Sequence, residues 1–266
     1  MTRKAHERLE HNEKRLERRD KMLNRDRANE RATVEEVFDQ VTRLVVFNLL
    51  KTGVLHEVNG VVSSGKEARV YWGKTREDKD LAVKIYLTSS AEFKKGILKY
   101  IEGDPRFKNV KRDTRSLFAV WAQKEFRNLE EACQAKVNVP KPLVVKSNVL
   151  VMEFIGKDGK SAPSLKECLP ENPVQVYRLL VTNLRRLYQK ARLVHGDLSE
   201  YNVLMWKGKP LIIDMSQSVS IEHPMAEFML MRDLNNLNRF FNKLSVDVIP
   251  IEELHKQVVG KKHAKS

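Results

Sequence analysis

Between Leu55 and about Tyr86 the chain repeats one kind of pattern three times: LHEVNGVV, ARVYWGKT and LAVKIYL. Short alternating or wholly apolar runs, rich in Val, Ile, Tyr and Trp and bounded by polar residues, read as strands. A helical period then runs through SLFAVWAQKEFRNLEEACQA and closes before Val139-Pro140; two more strands follow in KPLVVKS and VLVMEFI. The second half is helical, around VYRLLVTNLRRLYQKARL and again from about Met225 to Phe241. The short segments VHGDLSEYNVLMW and PLIIDMS lie between those helices. Strands with one helix first and helices mostly afterwards, without an internal repeat, predict an α+β fold in two lobes.

Ahead of the strands, Thr33 and Glu36 form a capping box, and Val37, Val41, Leu44, Val45 and Leu49 mark an amphipathic helix ending near Gly53. Residues 3–30 alternate charge at helical spacing around Leu9, Leu16 and Leu23, a stripe too thin for a coiled coil, so a marginal helix is expected there. Residues 88–114 are polar, basic and weakly periodic and read as a mobile insertion.

The formal charge of +14 is unevenly spread. Residues 1–31 carry 11 Lys/Arg against 7 Asp/Glu, residues 94–115 carry 8 against 3, and the last twelve residues add four lysines without an acid. Basic arms on a nearly neutral body point to a polyanionic partner, nucleic acid first, and equally suit a solvated surface that keeps the chain soluble. Cys133 and Cys168 are far apart and form no metal-spaced pair, which argues against redox or zinc roles and suits a reducing compartment. No apolar run approaches a membrane span, and the N-terminus is too charged for a secretory signal, so a cytoplasmic location is expected.

Chemistry concentrates in two segments of the second half. His195-Gly196-Asp197-Leu198-Ser199-Glu200-Tyr201-Asn202 has the form H-x-D-x-x-x-x-N, the spacing of a phosphotransferase catalytic loop. Asp197 would accept the proton of an attacking hydroxyl and Asn202 would hold a metal, while His195 orders the loop. Leu211-Ile212-Ile213-Asp214 then delivers one carboxylate at the end of an apolar strand, where it suits a Mg²⁺ bridging ATP phosphates. In the first half Lys84 matches the strand lysine of V-A-I-K, and alternation puts it on the face of Ala82. Glu125 is the expected ion-pair partner on the following helix, with Glu130 and Glu131 as competitors. Glu153 and Ile155 fall where a kinase hinge presents its main chain to adenine.

GVVSSGKEARVY begins as G-x-x-x-x-G-K, but Glu67 stands where a Walker A loop needs Ser or Thr, and a strand follows where that loop needs a helix. It reads as a strand–turn–strand phosphate loop in which Ser63, Ser64, Gly65 and Lys66 offer N–H, hydroxyl and ammonium donors.

Ser-Ser-Gly-Lys-Glu-Ala, Leu-Ala-Val-Lys-Ile-Tyr, His-Gly-Asp-Leu-Ser-Glu-Tyr-Asn and Ile-Asp-Met-Ser-Gln-Ser together resemble the Rio family of atypical protein kinases, over about Arg31 to Phe241. The phosphate loop is similar to that of the subfamily reading S-T-G-K-E-A, with Ser64 in place of Thr. The resemblance implies use of ATP and Mg²⁺, serine autophosphorylation, and a role in maturing the small ribosomal subunit, with the pre-small-subunit particle and its rRNA as partners. It also implies that Asp214 carries a transient aspartyl phosphate, making the chain an ATPase switch as much as a protein kinase. Protein substrates or the chain itself would receive phosphate, with Ser89, Ser90, Thr114 and Ser116 as candidate acceptors; no membrane or DNA partner is expected.

The expected organisation is a basic arm over 1–31, an N-terminal helix plus nucleotide-binding lobe over 32–155, a helical catalytic lobe over 156–250 and a basic tail over 251–266. Only 52 residues follow Asp214, and they hold no A-P-E, so the catalytic lobe is reduced and lacks a conventional activation segment. Two rivals stand beside this reading. One is a small-molecule kinase of the aminoglycoside or choline type, which shares H-G-D-x-x-x-x-N. The other is a non-catalytic RNA-binding assembly factor that holds nucleotide structurally.

Overall fold

The computed structural model describes residues 39–65, 67–87, 91–107 and 113–260, with the backbone alone for residues 91–95 and Thr114. The charged arm, the capping box of Thr33 and Glu36, Lys66, Ser89, Ser90 and the last six residues lie outside the described residues. The chain divides into residues 1–49 and residues 50–266. Helix α1 (Gln40–Lys51) makes up nearly all of what is described of the first unit, and the Asp39 carboxylate accepts the Thr42 N–H at its start.

In the second unit five strands form one antiparallel sheet: β1 (Glu57–Ser64), β2 (Ala68–Lys74), β3 (Asp80–Tyr86), β4 (Pro142–Lys146) and β5 (Val149–Glu153). Their order is β1-β2-β3-β5-β4, so β3 is central, and its residues from Leu81 to Tyr86 are all buried. A central strand covered on both faces has to be continuously apolar, and LAVKIY departs from that rule only at Lys84.

Helix α2 (Ala91–Ile101) falls within residues 88–114, the segment that reads as a mobile insertion. Ile97, Tyr100 and Ile101 sit at i, i+3 and i+4, one helical face, and all three are buried in the main core. Lys94, Lys95 and Gly96 dilute that short apolar face in the sequence.

Helix α3 (Thr114–Gln134) starts at Asp113, whose side chain accepts the Ser116 N–H at 3.0 Å. It buries Leu117, Phe118, Trp121, Ala122, Leu129 and Ala132 in the core shared with Tyr86 and Leu150. Each large side chain fully buried there stabilises the fold by about 1.5–3 kcal/mol.

The helical lobe rests on α4 (Pro173–Gln189) and α5 (Ala226–Asn242), with α6 (Ile251–Val259) packed against both. The expected basic tail over 251–266 is therefore corrected at its start. Leu254, Val258 and Val259 are buried, and the Gln189 side-chain amide donates to the Gln257 and Val258 carbonyls. Three buried apolar residues suffice to dock so short a helix.

Small strand pairs set the chemical segments. Strand β8 (Leu193–Val194) leads into His195, β9 (Val203–Trp206) leaves Asn202, and β10 (Lys209–Ile212) leads to Asp214. The hairpin β6 (Gly156–Lys157) and β7 (Lys160–Ser161) follows the sheet. From Asp214 the chain reaches α5 through residues 215–225 alone, by way of a 3₁₀ turn (Met215–Gln217) and β11 (Val219–Ser220). This is the α+β, two-lobed architecture with a reduced helical lobe that the strand and helix pattern predicts.

Candidate active site

Lys84 Nζ lies 2.9 Å from the Glu125 carboxylate and 2.9 Å from Asp214 Oδ1, joining the central strand, α3 and the end of β10. Burial opposes the lysine's charge, but Asp214 and Glu125 outweigh it and raise its pKa above the ordinary value. Burial likewise favours a neutral Asp214 carboxyl, yet the Lys84 ammonium and the Ser216 hydroxyl bring it down to about 2. Glu125, with no exposed surface, is instead raised by burial, although Lys84 and the Tyr86 hydroxyl both donate to it. Of the competitors, Glu131 pairs with Arg106 at 2.9 Å.

Asp214 adopts the left-handed conformation, φ 60° and ψ 66°, which costs a non-glycine residue on the order of 1 kcal/mol or more. Its Oδ1 takes both Lys84 and Ser216 (2.7 Å), so Oδ2 is the oxygen left for a ligand. Asn202 Nδ2 donates to the Asp197 carbonyl at 2.9 Å, which turns Oδ1 of the amide to the same use. One carboxylate and one amide oxygen form a hard, oxygen-only donor set that fits Mg²⁺, an ion usually held by one or two protein groups plus substrate phosphates.

Asp197 is half-buried, and burial raises its carboxyl pKa while His195 opposes the shift. Its loop is fixed from several sides. His195 Nδ1 accepts the Asp197 N–H at 3.2 Å and its Nε2 reaches the Ile213 carbonyl at 3.1 Å, so both ring nitrogens are engaged in ordering the loop. Gly196 has φ 79°, and a Cβ there would stand 3.1 Å from the Gln217 carbonyl oxygen. The Asp233 carboxylate, fully buried on α5, accepts the Gly196 N–H at 2.7 Å and the Leu198 N–H at 2.9 Å.

These groups open on one cleft of about 460 Å³. Ala82, Lys84 and Tyr86 line it from the sheet, Pro140, Met152 and Ile155 from the hinge side, and Asp197, Asn202 and Asp214 from the helical lobe. At the hinge the Glu153 N–H donates to the Lys141 carbonyl and the Ile155 carbonyl accepts the Ala162 N–H, both at 2.8 Å. The main-chain groups those bonds do not use are the Glu153 carbonyl and the Ile155 N–H. Ser63 and Gly65 line the cleft mouth, but the Gly65 N–H is spent on the Ala68 carbonyl at 3.0 Å, so it closes the turn instead of meeting a phosphate. Ser64 does not join the lining that Val62 and Ser63 share.

The RIO domain pattern matches residues 69–254. This chain belongs to the RIO family. The chain is 47% identical over 239 residues to serine/threonine-protein kinase RIO1 of Caenorhabditis elegans, covering 88% of this chain and 47% of that protein. It is 42% identical over 230 residues to the RIO-type serine/threonine-protein kinase Rio1 of Methanocaldococcus jannaschii, covering 86% of this chain and 78% of that one. The crystal structure of the Rio2 kinase from Chaetomium thermophilum superposes with a TM-score of 0.63 at 25% identity, over 83% of this chain and 68% of that chain. This RIO chain spans about half the length of the eukaryotic relatives it matches.

Several residues of this RIO site escape a reading by motif. Lys124, fully buried beside Glu125, donates to the Ser216 carbonyl at 3.0 Å and to the Ser218 carbonyl. Asn128 donates to the Met215 and Ser218 carbonyls at 2.7 and 3.0 Å. Together they tie α3, and with it Glu125, to the turn that follows Asp214. Glu67 lines the cleft half-buried, its pKa raised by burial and by the nearby Asp214 charge. A signal for Lys124 and Asn128 was present: both fall on the apolar face set by Trp121, Ala122 and Leu129, where a polar residue needs a buried partner.

Proposed function

We propose that this RIO domain is a Mg²⁺- and ATP-dependent serine/threonine protein kinase of the subfamily with the S-T-G-K-E-A loop. The carrying observation is the single buried lysine that bridges Glu125 and Asp214 at the back of a cleft faced by Asp197 and Asn202. Adenine meets the Glu153 carbonyl and Ile155 N–H, and Lys84, with Ser63 at the mouth, takes the phosphates, a role that Lys66 of the phosphate loop shares by its motif. Asn202 and Asp214 hold Mg²⁺, which neutralises charge on the transferring phosphoryl group. Asp197 accepts the proton of the attacking serine or threonine hydroxyl. The same cleft accommodates a second outcome, attack by Asp214 Oδ2 on the γ-phosphorus with departure of ADP, followed by hydrolysis of the aspartyl phosphate. That cycle makes the chain an ATPase switch.

The substrate is the chain itself or a protein of the pre-small-subunit particle, and the partner is that particle and its rRNA, in the cytoplasm. The reduced segment after Asp214 offers no conventional peptide platform, so the basic arms outside the described residues take on docking. Ser89, Ser90, Thr114 and Ser116 remain the candidate acceptors for autophosphorylation.

Asp197→Ala tests the assignment. It should bind MgATP with an affinity within about threefold of wild type while losing phosphoryl transfer by about 10²–10⁴. Transfer retained at the wild-type rate would overturn it. RNA affinity measured with and without ATP distinguishes a nucleotide switch, in which the two differ, from a passive binder, in which they agree.

A further inference from the structure

Asp197 receives two side-chain donors on the same oxygen. Asn202 Nδ2 stands 3.4 Å from Oδ2 and Gln217 Nε2 stands 3.5 Å from it, which leaves Oδ1 for the incoming hydroxyl. Both contacts are long, as catalytic hydrogen bonds commonly are before substrate closes the site. Asn202 is fixed by its own loop. Gln217 is fixed from elsewhere: the Tyr100 hydroxyl, buried on α2, donates to Gln217 Oε1 at 2.6 Å. A hydroxyl donor on Oε1 sets the amide so that its N–H₂ faces Asp197.

The neighbourhood makes this geometry stiff. Beyond α2, the Glu102 carbonyl meets His223 Nε2 at 3.1 Å, and Gly103 lies so close to Pro224 that a Cβ would stand 3.0 Å from its ring. Arg106 then clamps Asp104, Asn128 and Glu131. The turn carrying Gln217 is held from its other side by Lys124 and Asn128.

We propose that Tyr100 and Gln217 form a positioning relay that orients the Asp197 carboxylate, so that the insertion helix α2 sets the rate of phosphoryl transfer. Neither is a catalytic residue: Gln217 acts through Asp197, and Tyr100 through Gln217. The proposal rests on the kinase reading above and goes beyond it in giving the insertion a defined path to the catalytic carboxylate.

The test is a kinetic double-mutant cycle on the full chain, reading transfer from MgATP to the chain or to a serine-containing protein. Tyr100→Phe keeps the ring and its packing and removes only the donor. It should lower kcat about tenfold with KM for MgATP within twofold, a modest part of what a general base contributes. Gln217→Ala should do the same, and the double variant should be no slower than the slower single variant, because both break one relay. An unchanged kcat in Tyr100→Phe, losses that multiply in the double variant, or an effect confined to KM would each overturn the relay. A wild-type chain without transfer would overturn the kinase reading instead, which separates the two failures.

Discussion

Lys84 is the residue on which the cleft depends, because it neutralises two carboxylates that burial would otherwise penalise. Removing it leaves Glu125, with no exposed surface, as an uncompensated buried charge, which costs about 3–5 kcal/mol. Lys84→Met is therefore expected to lower the urea midpoint sharply, and Lys84→Met/Glu125→Gln to recover much of that stability while restoring no transfer. A double variant as unstable as the single one would show that packing, not charge, is what Lys84 supplies. Lys84, Glu125, Asp197, Asn202 and Asp214 are legible in the sequence because each sits at a fixed offset within a short motif or in a helix of known order. Asp233 is not. It binds the catalytic loop from α5, 36 positions beyond Asp197, and nothing local in MRDLNN distinguishes a loop clamp from a surface aspartate.

At the scale of elements, α3 couples the sheet to the turn after Asp214 through Lys124. Burial, with Arg106 nearby, brings the Lys124 pKa down from 10.5 to about 7. Between about 7 and 10.5 the unfolded chain binds one more proton at this residue than the folded chain does, so stability rises with pH across that window. Below pH 7 both states carry the charge, and the folded state bears the full cost of burying it. Lys124→Met should remove most of this rise, a few kcal/mol in all, when unfolding is followed by denaturant titration at pH 6.5, 8 and 9.5. The Ser218 carbonyl keeps Asn128 as a donor in that variant, so the loss of hydrogen bonding falls mainly on Ser216. An undiminished slope in Lys124→Met would exclude the residue as its source. The long elements were readable because their periods run over many residues. Helices α2 and α6 were not, because each docks through three buried apolar residues among polar and charged ones, too few to establish a helical period.

For the whole molecule, the proposed division is transfer in the folded body and docking by the charged ends. Helix α6 belongs to the folded body, so truncations that test the arms should remove residues 1–30 and 261–266 and leave Ile251–Gly260 in place. Such a variant is expected to keep transfer to a small substrate, to lose RNA affinity by about tenfold or more, and to show a shallower dependence of binding on salt. Equal RNA affinity and an equal salt slope would move the docking surface onto the folded body. The proposed phosphoryl transfer through Asp197 and Asp214 is read directly by incubating the pure protein with γ-labelled ATP and Mg²⁺. Wild type should take label in two forms: a hydroxylamine-sensitive one absent from Asp214→Asn, and a stable one lost in Asp197→Ala. Wild-type protein that takes no label and hydrolyses no ATP would contradict the account and leave a domain that holds nucleotide without using it.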